Sequence, residues 1–166
     1  MTESRPGSQE ALSTALRYLS TRPRSVFEVR ERLSKKGFSP ADIEKTIDSL
    51  TLAGYLDDTK FGRMLSASRL RHKNWGLLKI RNELKMKGVS VEIIEDVLGA
   101  DAKESEAGAA REALEKWSRR NRIKPPIDRI AAGRAFRFLQ SRGFSSGVAL
   151  STIKGIGSVS QEDLTD

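Results

Sequence analysis

The chain has 166 residues, of which 37% are hydrophobic and 31% are charged, and its net charge is +8. This composition is typical of amphipathic helices with narrow apolar faces, and the positive charge favours a polyanionic or acidic partner. The lack of cysteine excludes disulfides, thiolate zinc sites and cysteine nucleophiles, and no apolar run approaches the ~18 residues that span a bilayer, so we expect a cytoplasmic protein that does not enter a membrane.

The first helices are indicated by an apolar stripe and two capping patterns. Leu12, Ala15, Leu16 and Leu19 share one helical face and predict the first helix. The residues Ser25 and Glu28 have the spacing of a capping box and predict the start of the second. The third is predicted to begin at Pro40, with Ser39 as its N-cap and Asp42 in its first turn.

One short element occurs three times, and each copy has leucine four residues before a glycine and serine two residues after it. The copies are Leu33 to Ser39, Leu84 to Ser90 and Leu139 to Ser145. Glycine accepts the positive φ that ends a helix, and serine is a preferred N-cap for the next. The element therefore predicts a helix, a tight turn and a second helix in each copy.

The other helices complete this pattern. Asp58 is predicted to cap the fourth helix and Asp101 to cap the seventh, which ends before Pro125 and Pro126. We predict an all-α protein of nine helices, without strands, built from tandem three-helix repeats that form an elongated, curved array. The predicted repeats are residues 8–57, 58–99 and 101–155, and residues 1–7 and 156–166 are predicted to be flexible tails.

Residues for catalysis are scarce. His72 is the only histidine, and neither a phosphate-binding loop nor a dinucleotide-binding glycine motif is present. Asp57 and Asp58 are interpreted as helix-capping residues rather than a metal site. The stretch from Lys154 to Gly157 has the glycines of a hairpin that clasps DNA phosphates, although a simple helix end is the preferred interpretation. We predict a non-enzymatic protein without a cofactor, a metal or a catalytic residue.

Positive charge is concentrated in two stretches. Residues 60–90 hold nine basic residues and one acidic residue, and so do residues 116–142, whereas residues 1–57 hold nine basic and eight acidic residues. The candidate residues for partner binding come from the two basic stretches. They are Arg63, Arg69, Arg71, Lys73, Lys79, Arg81, Lys85, Lys87, Arg119, Arg120, Arg122, Lys124, Arg134, Arg137 and Arg142.

The fifth helix carries part of this charge on its outer side. With the apolar face turned inward, Lys79 and Lys85 lie together with Leu78 and Met86. This mixture is typical of a contact surface, but the two apolar residues could instead pack on a neighbouring repeat. Dispersed cations suit contacts to a nucleic-acid backbone or to an acidic protein better than base reading. A stand-alone DNA-binding module of tandem helix-turn-helix-like units is therefore the alternative function.

Several motifs in chain order resemble those of the RecX family of regulatory proteins. They cover residues 10–154 and are Ala15-Leu16-Arg17-Tyr18-Leu19 with Arg22, Ser25-x-x-Glu28, Leu33-x-x-Lys36-Gly37-Phe38, Leu50-x-x-x-Gly54-Tyr55-Leu56-Asp57-Asp58-x-x-Phe61, Gly76-x-x-x-Ile80-x-x-x-Leu84-x-x-Lys87-Gly88-Val89 and Phe138-Leu139-x-x-Arg142-Gly143-Phe144-Ser145. The resemblance implies a cytoplasmic monomer of tandem three-helix units. It also implies binding along the groove of the RecA–DNA filament, lower RecA strand exchange and ATP hydrolysis, and weak non-specific binding of single- or double-stranded DNA, in repair, recombination and the SOS response.

Overall fold

The computed structural model describes residues 7–157, which form nine α-helices and one π-helical turn without a β-strand. The predicted all-helical class is confirmed. The helices are α1 (Ser8–Leu19), α2 (Val26–Lys35), α3 (Pro40–Leu52), α4 (Asp58–Ser68), α5 (Leu77–Met86), α6 (Val91–Val97), α7 (Ala100–Asn121), α8 (Arg129–Ser141) and α9 (Ser146–Gly157), with the π-helical turn at Arg69–Lys73.

Backbone contacts divide the described residues into two compact units. The first unit contains the residues up to Met64 together with Leu84–Ile94, and the second contains Leu65–Glu83 together with the residues from Glu95 onward. In the first unit α1, α2 and α3 pack on one another, and in the second α7, α8 and α9 do so. The helices α4, α5 and α6 each contribute residues to both units.

The core of the first unit is formed where α1 lies against α2 and α3. Ala11 and Ala15 are fully buried, as are Val29 and Leu33 of α2. Leu16, a member of the predicted apolar stripe of α1, is 38% exposed and does not belong to the buried core. The buried positions of α1 are alanines because their small side chains let the helix backbones approach closely, and larger side chains flank this contact.

The three glycine turns have the predicted geometry. Gly37, Gly88 and Gly143 have φ angles of 83°, 71° and 88°. In each turn the amide of the residue after the glycine donates to a leucine carbonyl oxygen over 3.1–3.3 Å. This leucine is the one that lies four residues before the glycine. These bonds satisfy carbonyl groups at the helix end. The serines then accept hydrogen bonds from amides in the first turns of α3, α6 and α9, so their prediction as N-caps is confirmed.

Two predicted N-caps are wrong. The cap of α4 is Asp57, whose Oδ1 accepts from the Lys60 amide at 2.9 Å, and Asp58 is the first helical residue. Helix α7 follows Gly99 without a side-chain cap, and Asp101 lies inside its first turn. Asp101 therefore complements the helix dipole without capping the helix. The capping box of Ser25 with Glu28 is present as predicted.

The carboxyl-terminal end of the described chain is helical. Lys154 to Gly157 form the last turn of α9, so the hairpin interpretation is wrong for these residues. Residues 1–6 and 158–166, which belong to the predicted tails, lie outside the described residues. Within residues 7–157, no helix is both long and apolar enough to cross a bilayer, and no group of three or more acidic or histidine side chains is placed to hold a metal ion.

Candidate partner-binding surface

The start of helix α2 forms hydrogen bonds with two later segments of the chain, and all of these residues belong to the first unit. We call this set of contacts a joint. The Val26 amide donates to Asp58 Oδ1 at 2.9 Å, and the Ser25 hydroxyl donates to the carbonyl oxygen of Lys87 at 2.6 Å. Burial raises the pKa of the Asp58 carboxyl. Asp58 thus caps a helix from another part of the chain, which explains why it does not cap its own.

Glu28 is the charged centre of this joint. Its carboxylate accepts hydrogen bonds from Arg22 at 2.7 Å, from Lys87 at 2.8 Å and from the Ser25 amide at 3.2 Å. Burial alone would raise the pKa of Glu28, but these donors outweigh it and lower the pKa to about 2. The carboxylate is therefore ionised at neutral pH and holds Lys87 in a fixed position.

Helix α5 begins in a similar joint within the second unit. The Leu77 amide donates to Glu106 Oε1 at 2.8 Å, and Glu106 is buried, which raises the pKa of its carboxyl. The Gly76 and Leu78 amides donate to the carbonyl oxygens of Arg142 and Gly143 at 2.9 and 3.1 Å. These bonds fix the direction of α5 and therefore the position of Lys79 in its first turn.

The backbone at the start of α5 lies so close to the α8–α9 turn that neither Gly76 nor Gly143 can carry a side chain. A Cβ atom at Gly76 would lie 2.2 Å from the Gly143 carbonyl carbon, and a Cβ atom at Gly143 would lie 2.3 Å from Lys79 Cβ. Real Cβ atoms essentially never approach heavy atoms this closely. Two glycines that are distant in sequence are thus both required where α5 meets the α8–α9 turn.

Asn74 fixes the basic π-helical turn to α7 in the second unit. It is buried, has a φ of 47°, and its side chain donates to Glu112 at 2.9 Å and accepts from Lys116 at 2.9 Å. Asparagine tolerates this left-handed conformation better than most residues. As a result Arg71 and Lys73, which are both exposed, belong to a turn of fixed geometry on α7.

Three of the predicted partner-binding residues are held by carboxylates. Arg69 forms two hydrogen bonds with Glu83, at 2.7 and 2.6 Å, and Arg81 pairs with Glu95. Lys87 pairs with Glu28, as described above. A cation that is already neutralised attracts a polyanion less strongly, so these three contribute mainly to the structure.

Three other candidates lie over aromatic rings, which orient their charges without neutralising them. The charged groups of Lys79, Arg134 and Arg142 lie 4.4, 6.0 and 5.5 Å from ring centroids. Their rings belong to Trp75, Trp117 and Phe138 respectively. Attraction to a ring face positions a cation but leaves its positive charge available to a partner.

The remaining candidates are exposed. They are Arg63 on α4, Arg71 and Lys73 on the π-helical turn, Lys85 on α5, Arg119 and Arg120 at the end of α7, Arg122 and Lys124 in the loop that follows, and Arg137 on α8. Most of these exposed cations belong to the second unit. Leu78 and Met86 are 52% and 73% exposed, so the interpretation that they pack on a neighbouring repeat is wrong.

The sequence interpretation missed the residues that position these cations. Asn74, Trp75 and Glu106 were not singled out, although an asparagine followed by tryptophan and glycine is a recognisable helix end. Glu106 has no such signal, because a single glutamate in a long polar helix is indistinguishable from its exposed neighbours until the fold buries it.

Comparisons with known proteins agree on one family. Models for "RecX, first three-helix domain" and "RecX, second three-helix domain" match residues 11–50 and 57–98. A Regulatory protein RecX from Leptothrix cholodnii is 36% identical over 140 residues, covering 84% of this chain and 85% of that protein. Another, from Legionella pneumophila, is 30% identical over 149 residues, covering 90% and 96%.

Two solved structures share the fold. The crystal structure of RecX from Lactobacillus salivarius superposes with a TM-score of 0.80 at 21% identity and covers 90% of this chain and 96% of that one. A second crystal structure, of a regulatory protein RecX, gives a TM-score of 0.75 at 26% identity and covers 89% of this chain and 71% of that one.

Proposed function

Because the chain belongs to the family of RecX regulatory proteins, we propose that it binds the RecA–DNA filament and lowers the recombinase and ATPase activities of RecA. The relatives are named as regulatory proteins, which favours control of another protein over catalysis. The proposed action is occupancy, in which a cytoplasmic monomer lies along the filament and no covalent bond is made or broken.

The observation that carries this proposal is the set of exposed cations in the second unit. Arg119, Arg120, Arg122 and Lys124 follow one another at the end of α7 and in the loop after it, and all four are exposed. Such a run suits phosphates or acidic side chains without reading a base sequence. In the same unit the exposed Leu78 adds apolar area of the kind that protein partners bury.

The proposal is tested by RecA ATP hydrolysis and strand exchange in the presence of the purified chain. We expect both activities to fall as the chain approaches the concentration of RecA, because occupancy requires one bound molecule for each blocked site. An unchanged rate at equal concentrations and moderate salt would contradict the proposal. Inhibition that persists far below equal concentrations would contradict occupancy along the length of the filament.

Charge reversal on α5 tests the surface itself. We expect Lys79→Glu with Lys85→Glu to weaken filament binding at least tenfold, about 1.4 kcal/mol, in a sedimentation or anisotropy assay. Because Lys79 also contacts the Trp75 ring, Lys85→Glu alone is the cleaner variant, and a several-fold loss is expected from it. The matched control is Lys45→Glu, an exposed cation of α3 outside the predicted set. Equal affinities for all these variants would remove α5 from the proposed surface.

A stand-alone DNA-binding module remains the second candidate, since glycine turns between short helices also build helix-turn-helix units. The two functions differ in their response to RecA. A filament regulator binds bare DNA weakly and the filament more tightly, whereas a DNA-binding module binds bare DNA tightly with a steep dependence on salt. Titrating labelled DNA with and without RecA therefore separates them.

A further inference from the structure

A strongly basic pocket lies in the first unit, and none of the partner-binding candidates named above lines it. Its volume is about 370 Å³. The cations that line it come from α1, from the loop before α2 and from α2 through to the glycine turn after it. They are Arg17, Arg24, Arg32 and Lys36, and the hydroxyls of Thr14 and Thr21 and the rings of Tyr18 and Phe38 complete the lining. The lining as described contains no carboxylate.

Arg24 is the most buried of these cations. Its side chain is 14% exposed, and its Nη2 donates to Thr21 Oγ1 at 3.1 Å. Its Nε atom is buried without any hydrogen-bond partner. The nearest carboxylate oxygen that pairs with it, on Glu28, is 3.9 Å away and already accepts from Arg22 and Lys87. A buried donor left without an acceptor is costly, and Arg24 shares its carboxylate with two closer cations, so its charge is only partly compensated.

Tyr18 arranges two of the cations around the pocket. The guanidinium carbon of Arg24 lies 3.9 Å from the centroid of its ring, and that of Arg32 lies 5.5 Å from it. The ring face attracts both groups but removes none of their charge. Arg17, Arg32 and Lys36 are exposed, so an incoming anion can reach the pocket from solvent.

We propose that this pocket binds the backbone phosphates of a nucleic-acid strand. Guanidinium groups bind phosphate oxygens in pairs of parallel hydrogen bonds, and hydroxyls are common additional donors. One carboxylate would leave three of the four positive charges uncompensated. A strand instead supplies one negative charge with each phosphate. Its consecutive phosphates can therefore pair with several of these cations, including the exposed Arg17 and Lys36.

The inference goes beyond the proposed function, because it assigns a binding site to the part of the chain with almost no net charge. It also does not depend on RecA. The experiment therefore uses the full chain without RecA. A negative result would leave the RecA proposal unaffected, and failure of the RecA proposal would leave the pocket proposal unaffected.

The test is a titration of the nitrogen-15-labelled chain, in which the Arg24 Nε–Hε signal is followed by NMR. Two probes are used, inorganic pyrophosphate and an oligothymidylate of eight nucleotides. We expect both probes to shift this signal and pyrophosphate to displace the oligonucleotide from it. A shift with pyrophosphate alone would overturn the assignment to a strand, and no shift with either probe would overturn the phosphate site.

Variants of the lining give a second readout. We expect Arg32→Gln, at an exposed position where folding is not at risk, to weaken oligonucleotide binding several-fold. It should also reduce the slope of log affinity against log salt by about 0.7, the loss of one phosphate contact to a single strand. Lys45→Gln removes one charge from α3, outside the pocket, and should leave the slope unchanged if the strand lies in the pocket. Equal slopes for the two variants would overturn the proposal.

Discussion

Replacing Gly143 with alanine should lower the free energy of unfolding by about 3 kcal/mol. The φ of 88° alone costs an L residue about 1–2 kcal/mol. In addition, the new Cβ would lie 2.3 Å from Lys79 Cβ and 2.6 Å from the Lys79 backbone nitrogen, and forcing α5 away from the turn costs about 1–3 kcal/mol. Urea unfolding followed by circular dichroism measures the loss.

Gly37 provides the matched control for this substitution. It has nearly the same φ, 83°, but no heavy atom lies within 4 Å of the position of its Cβ. Gly37→Ala should therefore cost only the backbone term, about 1–2 kcal/mol. Equal losses for the two variants would show that the contact between the α8–α9 turn and α5 is looser than the structure has it.

Glu28→Gln should lower the free energy of unfolding of the chain by about 2–3 kcal/mol at neutral pH. The amide cannot hold the charges of Arg22 and Lys87, and it weakens the capping box. The pKa of Glu28 is about 2 in the folded chain against an ordinary value of 4.5. Because the folded pKa is the lower one, the stabilisation is present above pH 4.5 and is lost as the pH falls towards 2.

The measurement is urea unfolding of the parent chain and the variant at several pH values from 7 down to 2.5. The difference between them should stay constant down to about pH 4.5, the ordinary pKa of the carboxyl, and shrink below it. Glu44→Gln is the control, because Glu44 pairs with Arg30 on an exposed surface, and it should change the unfolding midpoint little. A gap between parent and Glu28→Gln that is constant with pH would contradict the assigned role of the Glu28 charge.

Local patterns in the sequence predicted much of this fold. The glycine turns and the cap at Ser25 depend on residues within a few positions of one another, so their geometry follows from the sequence alone. Asp58 was assigned wrongly because its partner, the Val26 amide, is 32 residues away. Asp101 was assigned wrongly because α7 begins two residues earlier than predicted, at Ala100, and its N-cap Gly99 has no side chain.

The candidate site was less predictable, because charge counted along the chain does not say which cations find a carboxylate. Arg69 and Glu83 are 14 residues apart and neutralise each other only once the second unit has formed. The opposite happens in the first unit. Its nearly balanced charge gives no sign that Arg17, Arg24 and Arg32 converge on one pocket whose lining includes no acidic residue.

The joint at the start of α2 also constrains how the protein matures on the ribosome. The partners of Val26 and Ser25 are Asp58 and Lys87, which are 32 and 62 residues further along the chain. During translation α2 therefore emerges well before the groups that satisfy its first amide and its cap. A nascent chain interrupted before Asp58 lacks both partners, so we expect the start of α2 to open more readily in it than in the finished protein.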